Sequence, residues 1–317
     1  MSTVKNYLSL IKFSHTIFAM PFAMIGFVLG IFSSYVHTIF KTNDGESTSF
    51  NIESSWPLDK LPFNFLSLLV FRLVFVILCM IFARSAAMAF NRYLDRDFDA
   101  KNPRTAIREI PKGIISSKRV LMFTVFSCVL FVTTCFFINK ICFFLSPIAL
   151  FVVLFYSYTK RFTPLCHLVL GIGLSLAPIG AYLAVTGAFA IVPVLFSFTV
   201  IFWVSGFDII YALQDEEFDK SQQLYSMPAW LGKSKALKVS ELLHLLSFIC
   251  VIAAGVSGGF GWWYWAGVAV FTGMLIYQHS IVKPNDLSKV NLAFMTANGI
   301  ASVVFAVFVI TDLFLNH

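Results

Sequence analysis

Residues 91–99 read Asn91-Arg92-Tyr93-Leu94-Asp95-Arg96-Asp97-Phe98-Asp99, and some thirty mostly apolar residues run directly into them. An acidic run at the end of such a stretch is costly unless a cation meets it. In a helix Asn91, Asp95 and Asp99 stand one turn apart and share a face, while Asp97 turns away from it. Oxygen ligands in such a row suit a hard cation such as Mg²⁺, which bridges carboxylates to a substrate phosphate. The pattern returns as Tyr211-x3-Asp215-x3-Asp219, again at the end of an apolar run.

Apolar residues make up 58% of the 317-residue chain and charged residues only 12%, roughly half of what a soluble protein carries. With a mean hydropathy of +0.83, this is the composition of an integral membrane protein with many spans. The net charge of +7 is compatible with nucleic-acid binding, but its distribution follows membrane topology, so no nucleic-acid partner is expected. The six cysteines all fall in apolar runs without a CxxC, which reads as small buried hydrophobes. The apolar run from Thr16 to about Phe40 is too long for a signal-peptide core and lacks a small-residue cleavage site, so it is expected to be retained as a first span.

Windows of about 20 apolar residues fall at roughly 16–40, 63–90, 120–138, 141–159, 165–187, 190–213, 237–257, 260–280 and 291–314. The expected fold is therefore all-α, a multi-pass membrane protein with nine transmembrane helices around a central cavity. Only Asn139-Lys140 separates the third and fourth spans, which predicts a tight hairpin. With the N-terminus in the cytoplasm, eighteen of the 23 Lys and Arg residues fall inside, eight of them in 91–119, and three fall outside at Lys41, Lys60 and Lys140. That asymmetry sets the orientation in a cell inner or plasma membrane. Both aspartate stretches then lie at cytoplasmic span ends, and the loop 41–62 lies outside.

The two halves echo one another, which suggests one domain built from pseudo-repeats at about 10–160 and 165–280, with a ninth helix at 291–314. Arg84 stands seven residues before Asn91, and Asp208 seven before Asp215. Two helical turns place each on its motif's face and deeper in the membrane. Two facing carboxylate clusters would repel unless cations sat between them, and basic residues lie close by: Lys101, Arg104, Arg108 and Lys112 after the first motif, Lys160-Arg161 after the fourth span. Carboxylates, divalent ions and a ring of Lys and Arg suit a diphosphate. In a membrane the natural molecule joining diphosphate to a long apolar tail is a polyprenyl diphosphate. Loss of diphosphate from an allylic carbon leaves a stabilised cation, which an electron-rich aromatic ring can attack if water is kept out.

The residues resemble the UbiA superfamily of membrane prenyltransferases, most of all its 4-hydroxybenzoate polyprenyltransferase branch. Both aspartate motifs fit it. So do Phe13-Ser14-His15-Thr16-Ile17-Phe18-Ala19-Met20-Pro21-Phe22-Ala23, the loop Lys101-Asn102-Pro103-Arg104-Thr105-Ala106-Ile107-Arg108-Glu109-Ile110-Pro111-Lys112-Gly113, Tyr156-Ser157-Tyr158-Thr159-Lys160-Arg161-Phe162-Thr163, Gly206-Phe207-Asp208-Ile209-Ile210-Tyr211 and Ser226-Met227-Pro228-Ala229. The similarity runs from about residue 10 to 235. It implies two Mg²⁺ ions, a polyprenyl diphosphate and a small aromatic acceptor, in quinone biosynthesis. Carried over by position, it makes Asn91, Asp95, Asp99, Asp215 and Asp219 metal and diphosphate ligands, with the four aspartates as the catalytic set. Arg104 and Arg108 become diphosphate contacts, a role that Lys160 and Arg161 share by position. Departures fall at Lys12, where Arg is common, and at Trp230-Leu231, where relatives often carry Arg-Phe; they bear on the choice of acceptor.

Ionisable residues within a span need an explanation, since each is opposed by about 2.5–3.5 kcal/mol on insertion scales. Arg84 or Lys12 is expected to meet the acceptor's carboxylate, Asp208 or Tyr211 to orient its phenol, and His15 to contact it. His167 and His244 read as structural, and Arg72 as snorkelling outward. Two other readings compete. One is prenyl transfer to dihydroxynaphthoate, a tetrapyrrole or haem, which the Phe13–Ala23 opening disfavours. The other is a transporter with duplicated halves, which the position of the aspartates at span ends, rather than mid-membrane, disfavours.

Overall fold

The computed structural model describes residues 3–11, 18–43 and 65–316, so Lys12, His15 and most of the 41–62 loop lie outside the described residues. The described chain is helical. A short α1 (Thr3–Leu10) leads to α2 (Met20–Asn43), α3 (Phe65–Lys101), α4 (Ser117–Ile138), α5 (Lys140–Thr159), α6 (Cys166–Thr186) and α7 (Ile191–Ala212). Two short helices, α8 (Glu216–Ser221) and α9 (Met227–Leu231), precede α10 (Lys233–Gly258), α11 (Trp262–Ile281) and α12 (Asn298–Asn316). Every expected span has its helix. Seven, Ser67–Lys101, Ser117–Ile138, Lys140–Thr159, Cys166–Thr186, Ile191–Ser221, Lys233–Gly258 and Leu292–Asn316, are long and apolar enough to cross a membrane, and Met20–Ser33 is a shorter apolar stretch. The remaining span, α11, is diluted by Trp262, Trp263, Tyr264, Trp265, Tyr277, Gln278 and His279, residues at home near a membrane interface.

The helices pack α3 against α4, α4 against α5, and α5 against α6; α6 lies between α2 and α7, α7 meets α10, and α11 and α12 close back on α2. Glycines allow the closest approaches. A Cβ at Gly26 of α2 would overlap the Pro178 carbonyl of α6, and one at Gly171 of α6 would overlap the Ile201 carbonyl of α7. Small residues serve this purpose in membranes, where close backbone packing replaces the hydrophobic effect as the driving force. Between α2, α7, α11 and α12 the centre is filled by rings. Phe22, Phe196, Trp203, Phe271 and Phe305 are all fully buried, with Phe22 and Trp203 centroids 5.4 Å apart and Phe271 and Phe305 5.3 Å apart.

Polar groups inside the bundle cap irregular backbone. Asn139 alone separates α4 from α5: its extended backbone breaks the helix, its Oδ1 accepts from Cys142 N at 2.9 Å, and its Nδ2 donates to Leu183 O at 2.8 Å. The expected hairpin at Asn139-Lys140 is thus built by a helix cap. Asp312 is fully buried and accepts from Gly261 N (2.8 Å), Tyr264 N (3.2 Å) and Asn316 Nδ2 (2.8 Å), so a carboxylate in α12 caps the start of α11. Before α12, Leu292–Ala297 forms a π-helical turn, and Asn298 Nδ2 donates to the carbonyls of Ala293 and Phe294, both at 3.1 Å.

One local expectation is corrected. Tyr211, Asp215 and Asp219 do not share one continuous helical face, because a 3₁₀ turn at Leu213–Asp215 separates α7 from α8. The tighter turn rotates α8 relative to α7. Its cause is local: Glu216, Glu217 and Asp219 crowd the first turn of α8, and negative charge favours starting a new helix there over ending an old one.

Candidate active site

The end of α3, the end of α5, the start of α6, the end of α7, and α8 and α9 gather at one end of the bundle with the 102–116 connection. Helix α3 continues past the membrane run to Lys101 and stops at Asn102, because Pro103 disfavours helical backbone in the residue before it. Asp95 and Asp99 point inward and are buried at 2% and 6% exposure, while Asp97 is exposed and pairs with Arg96 at 3.7 Å.

Each inward carboxylate meets cations from a different segment. Asp95 takes Lys160 Nζ on Oδ2 (2.5 Å) and Arg161 Nη2 on Oδ1 (3.0 Å), and Asn91 Nδ2 donates to it from one turn back (3.2 Å). Arg161 is further fixed by Ser157 O (2.9 Å) and Leu94 O (3.0 Å) and lies over the Phe98 ring. Asp99 takes Arg108 Nη1 on Oδ1 at 2.6 Å; its Oδ2 is buried without a hydrogen bond among the described residues and faces Arg92 at 3.9 Å.

Asp215 is held by both sides of the Arg104 guanidinium, a bidentate pair, with Asn102 Nδ2 at 3.4 Å. Arg104 Nη1 also donates to Tyr211 Oη at 2.8 Å. Burial works against the charge on Arg104, but Asp215 and Tyr211 outweigh it and hold the guanidinium above its ordinary pKa. Asp219 accepts from Ser226 Oγ at 2.8 Å, and Ser226 also caps α9. The 102–116 connection therefore ties α3 to α7 and α8: Arg104 reaches the second motif and Arg108 the first. Tyr225 N donates to Lys160 O at 2.7 Å and joins the α5 end to the α8–α9 turn.

A cavity of about 430 Å³ lies in the bundle between α3, α4, α5 and α6. Arg84, Met88 and Tyr156 line the end nearest the acidic motifs; Leu145, Ile148 and Phe189 lie further away. Its α3 wall runs from Val76 to Met88, a rise of about 18 Å. Ile148 and Phe189 are each 60% exposed, so the cavity opens sideways where lipid would be.

Most residues singled out from sequence are thereby brought together: Asn91, Asp95 and Asp99 with Lys160, Arg161 and Arg108, and Asp215 with Arg104 and Tyr211. Arg84 stands deeper, on the cavity wall. Asp208, also deeper, has its Oδ2 at 2.7 Å from His167 Nδ1. Among the described residues no three His, Cys, Asp or Glu side chains converge closely enough to hold an ion unaided. The sequence reading assigned no individual role to Arg92, Asn102, Tyr156 or Phe294, and read His167 as structural. Arg92 sits inside the first motif, and its arginine charge beside Asn91 was a usable signal. Phe294, whose ring lies 4.2 Å from that of Tyr211, had none beyond being one of 37 phenylalanines.

The chain matches the profile of the UbiA prenyltransferase family over residues 63–300. A 4-hydroxybenzoate octaprenyltransferase of Aromatoleum aromaticum is 27% identical over 72% of this chain and 77% of its own length. One from Aeromonas salmonicida is 29% identical over 74% and 80%. Among solved structures, an apo UbiA homologue from Aeropyrum pernix K1 is 26% identical, with a TM-score of 0.71 over 95% of this chain and 98% of its own. A UbiA homologue from Archaeoglobus fulgidus bound to DMAPP and Mg²⁺ shares the fold at 19% identity, with a TM-score of 0.68 over 98% and 99% of the two chains. The long helices of the described residues, the paired aspartate motifs at one end and this match over three quarters of the length agree: the chain belongs to the UbiA prenyltransferase family and is a membrane prenyltransferase.

Proposed function

We propose that the chain transfers a polyprenyl group from a polyprenyl diphosphate to an aromatic acid of the 4-hydroxybenzoate kind, in quinone biosynthesis, with two Mg²⁺ ions. The observation that carries this reading is the double acidic cluster, with Asp95, Asp99 and Asp215 each matched by a cation, one turn beyond the Arg84–Met88 end of an apolar cavity. The names of the curated relatives support the acceptor, and the DMAPP- and Mg²⁺-bound homologue supports the donor class and the metal.

The donor set fits Mg²⁺. It consists of hard oxygen ligands, and the buried Oδ2 of Asp99 lacks a hydrogen bond. Asn91, Asp95, Asp99, Asp215 and Asp219 would hold the ions, which when bound supply Lewis-acid stabilisation of the leaving diphosphate. Arg104, Arg108, Lys160 and Arg161 turn from the carboxylates to the diphosphate oxygens and take up the charge that develops as the allylic carbon–oxygen bond breaks. The apolar cavity holds the tail and keeps water from the allylic cation. Arg84, with Lys12 beyond the described residues, meets the acceptor's carboxylate. Asp208 and Tyr211 orient its phenol, with His15 as a further contact. A ring carbon bonds to the allylic carbon, and loss of its proton restores aromaticity. The excess of Lys and Arg in the segments at this end supports a cytoplasmic site.

Membranes containing the protein, supplied with labelled polyprenyl diphosphate and a panel of acceptors, test the reading by product mass spectrometry. A prenylated 4-hydroxybenzoate that forms with Mg²⁺ and disappears with EDTA is expected. Equal product with EDTA, or product only from acceptors without a carboxylate, overturns the metal or the acceptor assignment respectively.

A further inference from the structure

His167 lies in the first turn of α6 with its side chain 4% exposed, against Asp208 of α7 at 23%. Both ring nitrogens are engaged. Nδ1 is 2.7 Å from Asp208 Oδ2, and Nε2 is 3.3 Å from the backbone N of Met227 at the start of α9. A backbone N–H can only donate, so Nε2 presents a lone pair, and the single ring proton sits on Nδ1 and is given to Asp208. The ring thus donates to a carboxylate on one side and accepts from a backbone N–H on the other. The ring's own backbone is anchored as well, since Ser205 Oγ, one turn before Asp208, donates to His167 O at 3.1 Å. One side chain thus ties α6, α7 and the start of α9 together.

For Asp208 the consequence is specific. One oxygen is pinned, and the carboxylate plane is set by the ring. The other oxygen has no hydrogen bond among the described residues, on a side chain that is partly open. A carboxylate held this way is built to accept a hydrogen bond from a hydroxyl. The geometry points to His167 as a positioning residue: it fixes the plane of Asp208 and aims its second oxygen at the hydroxyl of a phenolic acceptor. The Ser226-Met227 turn adds a link, because Ser226 bonds Asp219 through its side chain while Met227 bonds His167 through its backbone. This inference rests on the reading of Asp208 as the group that orients the phenol.

The test uses the full chain in detergent or nanodiscs, with His167→Ala, His167→Gln, Asp208→Asn and the Ala/Asn double variant. Glutamine offers one donor and one acceptor at similar reach and cannot titrate. His167→Ala is expected to lower kcat about 10- to 100-fold with the prenyl donor's KM unchanged. His167→Gln restores most of that loss, and His167→Ala adds nothing further once Asp208 is Asn. Glutamine as impaired as alanine, or losses that multiply in the double variant, overturns the positioning role. Full turnover in Asp208→Asn alone instead overturns the underlying reading of Asp208. A ¹⁵N spectrum of histidine-labelled unmutated protein checks the arrangement without activity: a neutral Nδ1–H tautomer is expected, and an Nε2–H or doubly protonated ring refutes it.

Discussion

Replacing Asp95 by Asn removes a charge and keeps the shape, and the structure sets how that should be read out. Asp95 is 2% exposed and meets Lys160, Arg161 and Asn91 at 2.5, 3.0 and 3.2 Å. In the resting protein the variant strands two cations, so its own melting temperature falls; the informative quantity is the further rise that ligand produces. A prenyl diphosphate analogue with Mg²⁺ at about 100 times its Kd adds about 2.7 kcal/mol to the stability of the unmutated chain. At about 2 °C per kcal/mol for a chain of this size, that is a rise of about 5 °C. A lost charged ligand weakens binding by about 2 kcal/mol, or about 30-fold. The same ligand concentration is then only about three times the variant's Kd, worth about 0.9 kcal/mol, or about 2 °C. Dye-based melting of purified protein, with and without EDTA, measures both shifts. If Asp95→Asn keeps the full metal-dependent rise, Asp95 does not bind the metal–diphosphate unit.

Tyr211→Phe loses the Arg104 contact at 2.8 Å but keeps the ring against Phe294, so a fall in kcat/KM of about 5- to 10-fold is expected from one hydrogen bond, read by steady-state kinetics with 4-hydroxybenzoate. Asp312→Ala leaves two buried backbone N–H groups without their acceptor and should lower stability by about 2–4 kcal/mol; Asp312→Asn recovers part of it in the same unfolding assay. Gly26→Val drives a side chain into the Pro178 carbonyl and should lower stability by about 1–3 kcal/mol or more, seen as a lower melting temperature. In Gly113→Ala nothing clashes, but φ is +70°, so a smaller loss of about 1 kcal/mol is expected.

The fold was legible because a membrane leaves few options. An apolar run of about 20 residues must satisfy its own backbone, so length alone identifies a helix. Asn139-Lys140 could be read as a hairpin because nothing else polar interrupts 120–159 for long. The break in the second motif was harder to see, since three acidic residues around Asp215 both continue the four-residue spacing and favour a new helix start. In the site, the row Asn91, Asp95, Asp99 followed from spacing, and the demand for nearby cations from charge. Which cation meets which carboxylate did not follow. Arg104 lies five residues after Asp99 yet pairs with Asp215, 111 residues away, while Arg108 turns back to Asp99. His167 reads as one more packed residue in an apolar run because its partner Asp208 is 41 residues away and only the α6–α7 packing joins them.

The pairing of carboxylates with cations gives a physical reason for the proposed use of a metal in taking up a diphosphate. Asp95, Asp99 and Asp215 face Arg92, Arg104, Arg108, Lys160 and Arg161, while Asp219 is held by Ser226, so the resting cluster carries its own counter-charges. A diphosphate can recruit those cations only by drawing them from carboxylates that are already mostly buried, and a buried carboxylate stripped of its partner is strongly disfavoured. Divalent ions held by the aspartates would resolve the conflict, leaving the Lys and Arg side chains to turn to the diphosphate oxygens. The same exchange keeps the empty site stable, because the cations that later hold the leaving group fold against the aspartates until it arrives. Deleting a single arginine of the cluster should therefore act twice, on the stability of the empty protein and on the departure of the diphosphate.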